Sequence, residues 1–213
     1  DGAKKWETRF SNAWEMSYGA PAVDGQGTVY MASEAFYEGK DYSALYAFNE
    51  GNGELRWKYP TERFMRASPV IGPDRSVYIA TKATDVNQTA KLISLSPEGV
   101  KKWEYVLENV HVTADDIYST PAIGADGLIY FGAETGFLYA IKATDGTLAW
   151  KFDLKMAVNW SSPVILNDGT LYLGGMGGSN YEGYIKAIKT DSPGYAATPW
   201  PRFRHDNKNT GRY

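Results

Sequence analysis

The sequence predicts an all-β fold made of four tandem repeats, and three observations carry that prediction. One short phrase recurs four times: Gly19-Ala20-Pro21-Ala22-Val23, Ala67-Ser68-Pro69-Val70-Ile71, Ser119-Thr120-Pro121-Ala122-Ile123 and Ser161-Ser162-Pro163-Val164-Ile165. Each copy is followed by a turn and by an apolar stretch with a tyrosine in the same place, Tyr30, Tyr78, Tyr130 and Tyr172. No stretch of the chain carries the three-and-four apolar spacing of a helix free of Gly or Pro.

The elements follow in order within each repeat. The apolar end of the phrase is a first strand. Asp24-Gly25, Pro73-Asp74, Asp126-Gly127 and Asp168-Gly169 then supply a tight turn, Asp-Gly being suited to the positive φ angles such a hairpin needs. The tyrosine-bearing stretch is the second strand. A third strand is expected at 44–48, 91–95, 137–141 and 184–188, where apolar residues alternate. In the first three repeats a Gly turn leads into a strand ending in tryptophan, at 53–57, 99–103 and 146–150. Prolines 48, 52 and 42 residues apart set the period, and four strands at this period make a β-propeller blade. A single domain is expected over 1–213, with blades at 17–59, 65–106, 117–153 and 159–190 and a closing segment at 195–213.

The ends complement each other. Asp1-Gly2-Ala3-Lys4-Lys5-Trp6 matches a Gly-to-Trp fourth strand with no preceding three, whereas the last repeat runs on through Thr190-Asp191-Ser192-Pro193-Gly194 without such a strand. Three arrangements fit: residues 4–10 act as a closing strand in a four-bladed ring, two chains join head to tail as a homodimer with an eight-bladed ring, or the repeats are a fragment of a larger propeller. Trp200 is an alternative source of the last blade's tryptophan.

Composition narrows the function classes. A hydrophobic fraction of 43% supports a buried core, and a net charge of -3 with scattered basic residues argues against nucleic acid or an anionic membrane as partner. No apolar run reaches membrane-spanning length, so no membrane insertion is expected. With no cysteine, disulfides, thiol nucleophiles and thiolate metal sites are excluded. The first five residues do not read as a signal peptide, so export would have required a leader since removed.

Candidate binding residues come from the repeat itself. Tyr18, Arg66, Tyr118 and Trp160 stand three residues before each repeat proline, where symmetry sets them around one mouth. Aromatic faces with one guanidinium suit stacking on sugars, flat cofactors or peptides, and packing between blades is the competing reading. The loops at 34–43, 81–90, 108–118 and 174–183 are further candidates: Phe36, Tyr37 and Tyr42 in the first and Met176, Asn180 and Tyr181 in the last form a rim with Trp14, against a reading as solvated surface. Asp115 and Asp116 near His111 raise an acid/base pair or a cation site, against exposed loop acids. His205 reads as part of a C-terminal tether.

A Leu-Tyr-Ala-like strand, a turn, Gly and then Trp resembles the quinoprotein (PQQ) repeat family over essentially the whole chain. The segment Pro199-Trp200-Pro201-Arg202-Phe203-Arg204-His205-Asp206, with Asn209-Thr210-Gly211, resembles the closing segment of secreted bacterial propellers of this type. The resemblance implies that Trp6, Trp57, Trp103 and Trp150 dock between neighbouring blades. Its enzymes use PQQ and calcium, with a catalytic aspartate, Glu and Asn ion ligands and commonly a vicinal cysteine pair. Here there is no cysteine, and the inner strands read Ala, Pro, Val and Ile. The expectation is therefore the non-catalytic branch that includes the outer-membrane-assembly lipoprotein propeller, without catalytic residues, metal or cofactor. The alternative is a fragment of a PQQ-dependent dehydrogenase. The branch implies a binding or scaffolding module for protein or polysaccharide, exported to the bacterial periplasm or cell surface.

Overall fold

A computed structural model of the chain describes residues 2–9, 17–34, 36–37, 40–41, 43–61, 64–82, 89–108, 116–178, 180 and 182–206, with 36, 37, 40 and 41 described in their backbone alone. Trp14, Tyr42, His111, Asp115, Tyr181 and residues 209–211 lie outside the described residues, as does residue 10 of the expected closing strand.

The first blade comprises β1 (Ala22–Val23), β2 (Thr28–Ser33), a two-stranded ribbon of β3 (Phe36–Tyr37) and β4 (Lys40–Asp41), β5 (Ala44–Asn49) and β6 (Leu55–Pro60), with sheet order β1-β2-β5-β6. The second runs β7 (Val70–Ile71), β8 (Val77–Ala80), β9 (Lys91–Leu95) and β10 (Lys101–Val106). The third runs β11 (Ala122–Ile123), β12 (Leu128–Gly132), β13 (Phe137–Lys142) and β14 (Leu148–Asp153). The fourth has, among the described residues, three strands, β15 (Val164–Ile165), β16 (Thr170–Gly177) and β17 (Glu182–Lys189). All pairings are antiparallel between sequence neighbours within a blade. This is an all-β fold of propeller blades, and no helix among the described residues is long and apolar enough to cross a membrane.

One row of residues crosses each of the first three blades in the same register. Tyr30 pairs with Ala47 and Ala47 with Trp57, Tyr78 with Ser94 and Ser94 with Trp103, Tyr130 with Ala140 and Ala140 with Trp150. The small middle residue lets the tyrosine and tryptophan rings reach across it, with centroids 5.6 to 5.8 Å apart. The tryptophans sit within their strands rather than ending them, because the third strand offers partners as far as Ala44, Lys91 and Phe137.

The core lies between blades. Tyr30, Leu45 and Ala47 of the first pack with Ile71, Val77 and Ile93 of the second, and Val70, Tyr78 and Leu92 of the second pack with Ile129, Phe131 and Tyr139 of the third. Third strands are accordingly buried on both faces in the first three blades, whereas β17 is largely exposed.

Two turns carry more than the repeat suggests. In the second blade the left-handed residue after Asp74 is Arg75, at φ 63°, where the other blades have Gly27, Gly127 and Gly169. The C-terminal segment crosses back over the inner strands: Ile71 N–H donates to Trp200 O and Ile123 N–H to Pro201 O, each at 2.8 Å. Trp200 is therefore not the missing tryptophan of the last blade. It is buried against the first two, with Met65 and Val77.

Candidate functional site

A hydroxyl relay aligns the entrances to the four inner strands. The Ala20 N–H donates to Ser68 Oγ at 2.8 Å, Ser68 N–H to Thr120 Oγ1 at 3.0 Å and Thr120 N–H to Ser162 Oγ at 3.2 Å. The second, third and fourth blades thus each lend the hydroxyl before their proline to the blade preceding them. The residues two positions earlier are Tyr18, Arg66, Tyr118 and Trp160, and the structure brings all four to one cleft of about 380 Å³.

Arg66 is its centre. The guanidinium carbon lies 4.9 Å from the Tyr18 ring centroid, 5.5 Å from Tyr118 and 5.7 Å from Trp160. The Tyr118 and Trp160 rings are themselves 4.8 Å apart. Glu34 fixes the guanidinium by accepting from Nε at 2.8 Å and from Nη2 at 3.1 Å. That paired hydrogen bond outweighs partial burial and raises the arginine pKa above its already high value. Around Tyr118, the phenol donates to Asp116 Oδ2 at 3.0 Å, and Lys82 Nζ reaches the phenol oxygen at 3.3 Å. Burial first, and then the Asp116 charge, push the Tyr118 pKa well above the ordinary phenol range.

Two rings remain open to solvent, Tyr18 at 49% and Trp160 at 62% exposure. Arg202, Phe203 and Arg204 bring the C-terminal segment to the same cleft. The result is a rigid platform of apolar faces around a charge already neutralised locally, suited to stacking and apolar contact. Its carboxylates are engaged: Glu34 with Arg66, Asp116 with Tyr118 and, at 3.7 Å, with Lys82. Among the described residues no group of three or more His, Asp or Glu is placed to hold a metal ion.

The other candidates disperse. Tyr37 lies in the ribbon of the first blade, Met176 is exposed on β16, and His205 packs its ring 5.2 Å from that of Trp200. Trp6, Trp57 and Trp103 each donate their indole N–H to a turn of the following blade, Glu50 O at 2.7 Å, Pro97 O at 2.8 Å and Ala143 O at 3.1 Å. Trp150 instead lines a groove beside β17. Glu34, Lys82 and Arg202 to Arg204 were not singled out as site residues from sequence. Glu34 meets its partner 32 residues away on another blade, and no local spacing signals that.

The family model described as outer membrane protein assembly factor BamB matches residues 1–174. No curated protein matches the chain. Among solved structures, BamB from Moraxella catarrhalis superposes with a TM-score of 0.58 at 17% identity, over 88% of this chain and 54% of that one. A quinohemoprotein alcohol dehydrogenase from Comamonas testosteroni gives 0.59 at 15%, over 75% and 37%. The computationally designed Ika4 protein gives 0.55 at 12%, over 88% and 99%. At these identities the structural likeness speaks for the fold. The chain spans 54% and 37% of the BamB and dehydrogenase chains it superposes on.

Proposed function

The chain belongs to the family of the outer membrane protein assembly factor BamB, and from that premise we propose that it is a non-catalytic propeller module that holds another protein at the Arg66 mouth. The observation that carries this reading is the convergence of Tyr18, Arg66, Tyr118 and Trp160 from four blades onto one cleft, with the guanidinium locked by Glu34. Preset aromatic faces and an immobilised arginine lose little freedom on contact, and Trp, Tyr and Arg are the residues that dominate protein interfaces. The family's description concerns assembly at the outer membrane, which supports an exported chain in the bacterial envelope and a protein partner there.

A PQQ and calcium centre asks for carboxylate oxygens free to bind the ion. Glu34 and Asp116 are already committed to cationic and phenolic partners, so the donor set at this mouth does not fit one. A polysaccharide is the second reading, favoured by the half-open rings of Tyr18 and Trp160.

Affinity capture from envelope extracts tests the main proposal, comparing the wild-type chain with Trp160→Ala and Arg66→Ala. Enrichment of one protein by wild type and its loss with both variants is the expected result. Equal recovery by all three chains would overturn the assignment of the mouth. Oligosaccharides that quench tryptophan fluorescence in wild type but not in Trp160→Ala would favour the second reading.

A further inference from the structure

The wall of the Arg66 cleft carries three guanidiniums, those of Arg66, Arg202 and Arg204, and no carboxylate among the described residues. Behind the wall two charges are cancelled, Arg66 by Glu34 and Lys82 by Asp116. The two arginines of the C-terminal segment are not. Neither makes an ion pair among the described residues, and the carboxylate of the adjoining Asp206 lies beside His205 instead, 3.7 Å from Nδ1.

Arg202 is the more demanding of the two. It is 5% exposed, donates from Nη1 to the Asp206 carbonyl at 2.8 Å and sets its guanidinium carbon 5.5 Å from the Tyr195 ring, yet its Nε has no acceptor. A buried charge without a counter-ion is costly, and an anion brought close to it removes part of that cost. Arg204 is exposed, with its guanidinium carbon 5.2 Å from the Phe203 ring.

The backbone holds this pair in place. Trp200 and Pro201 are fastened to the inner strands of the second and third blades, and the turn that follows is closed by His205 N–H donating to Arg202 O at 3.1 Å. Arg204 and His205 are both left-handed, at φ 59° and 76°, a conformation that residues with side chains seldom take twice in succession. The aromatic shelf of Tyr18 and Trp160 and this basic turn therefore share one opening, both set by the fold.

We propose that the segment held at the mouth is acidic: an Asp or Glu side chain of the partner pairs with Arg204 and offsets the charge of Arg202, while a neighbouring aromatic side chain stacks on Tyr18 and Trp160. The inference rests on the protein-binding reading of the mouth and adds the chemistry of what is bound. An apolar segment would take Arg204 out of water and give Arg202 nothing, and a basic one would add like charge. Charge complementarity selects the acidic one.

Two random copolymers, one of glutamate and tyrosine and one of lysine and tyrosine, are the probes, with binding measured on the immobilised chain. The glutamate copolymer should bind and the lysine copolymer should not. Arg204→Glu, at an exposed position, should weaken the first about tenfold, the effect of losing a hydrogen bond between charged groups, and should allow the second to bind. Equal binding of both copolymers, or a glutamate copolymer indifferent to Arg204→Glu, would overturn the proposal, as would tighter binding of a uronic-acid polysaccharide. Affinity capture from envelope extracts separates this inference from the reading beneath it. A protein lost with Trp160→Ala and Arg66→Ala but retained by Arg204→Glu would overturn the acidic segment and leave the mouth a protein site. A protein retained by all three variants would overturn both.

Discussion

Arg75 of the second blade reaches across to Asp24 of the first, Nη2 to Oδ2 at 2.9 Å, from a left-handed backbone position that the other blades give to glycine. The strain of a non-glycine residue at φ 63° is roughly 1 to 2 kcal/mol, and the pair with Asp24 works against it. Asp24 has no exposed side-chain surface. Burial works to raise its pKa, but the Arg75 hydrogen bond and the N–H groups of Gln26 and Thr28 prevail, and the net direction is downward.

A carboxylate whose folded pKa lies below its unfolded value adds stability that is complete above about pH 4 and is lost as pH falls through the folded value. Arg75→Ala should therefore cost about 1 to 3 kcal/mol near neutrality, the range for leaving a buried hydrogen-bonding group without its partner. In urea unfolding at a series of pH values, the gap between wild type and variant should narrow below about pH 4. A gap that stays constant with pH would assign the effect to the turn rather than to the ion pair.

Glu34 and Arg66 should be coupled. Removing either alone leaves a partly buried charge unpaired, at about 1 to 3 kcal/mol, while removing both should cost less than the sum. A double-mutant cycle by urea denaturation reads this directly, and strict additivity would mean the clamp contributes nothing to the fold.

Two glycines in hairpin turns separate conformational strain from lack of space. Gly127, at φ 79° with nothing within 4 Å of an added Cβ, should lose only about 1 to 2 kcal/mol as Gly127→Ala. Gly99→Ala meets the Trp57 ring at 2.7 Å and must also displace it, so its thermal midpoint should fall clearly further. Equal midpoints would show that the tryptophan yields freely.

The relay through the inner strands predicts a local effect. Ser68→Ala removes the acceptor for the Ala20 N–H, and hydrogen exchange there should accelerate by roughly the factor that 1 to 3 kcal/mol allows. Exchange at Ser68 itself, which donates to Thr120, should change little. Uniform acceleration across all blades would indicate global loss of stability instead.

Repetition explains which of these features were legible in the sequence. The tyrosine and tryptophan rows, the hairpin turns and the four mouth residues have internal copies, so each position can be checked against the others. Glu34 stands where the next two repeats have Lys82 and Glu134, which also bond into the following blade, but the residue types differ each time, so its pair with Arg66 is not spelled by a repeated phrase. Arg75 replaces a glycine, so its left-handed conformation follows from the turn it occupies and not from its own preference. The C-terminal segment has no second copy at all. Trp200 could be read as an outer-strand tryptophan until its bridge to Ile71 and its burial beside Met65 were known.

The hydroxyl relay also makes blade order matter in a protein whose blades look interchangeable. Each link runs one way, from an amide in one blade to a hydroxyl in the next, and the first blade has Ala20 where the others have Ser68, Thr120 and Ser162. A circular permutant that moved the first blade behind the fourth would set a methyl group where an acceptor is wanted. Restoring the link there would take Ala20→Ser, a single oxygen atom.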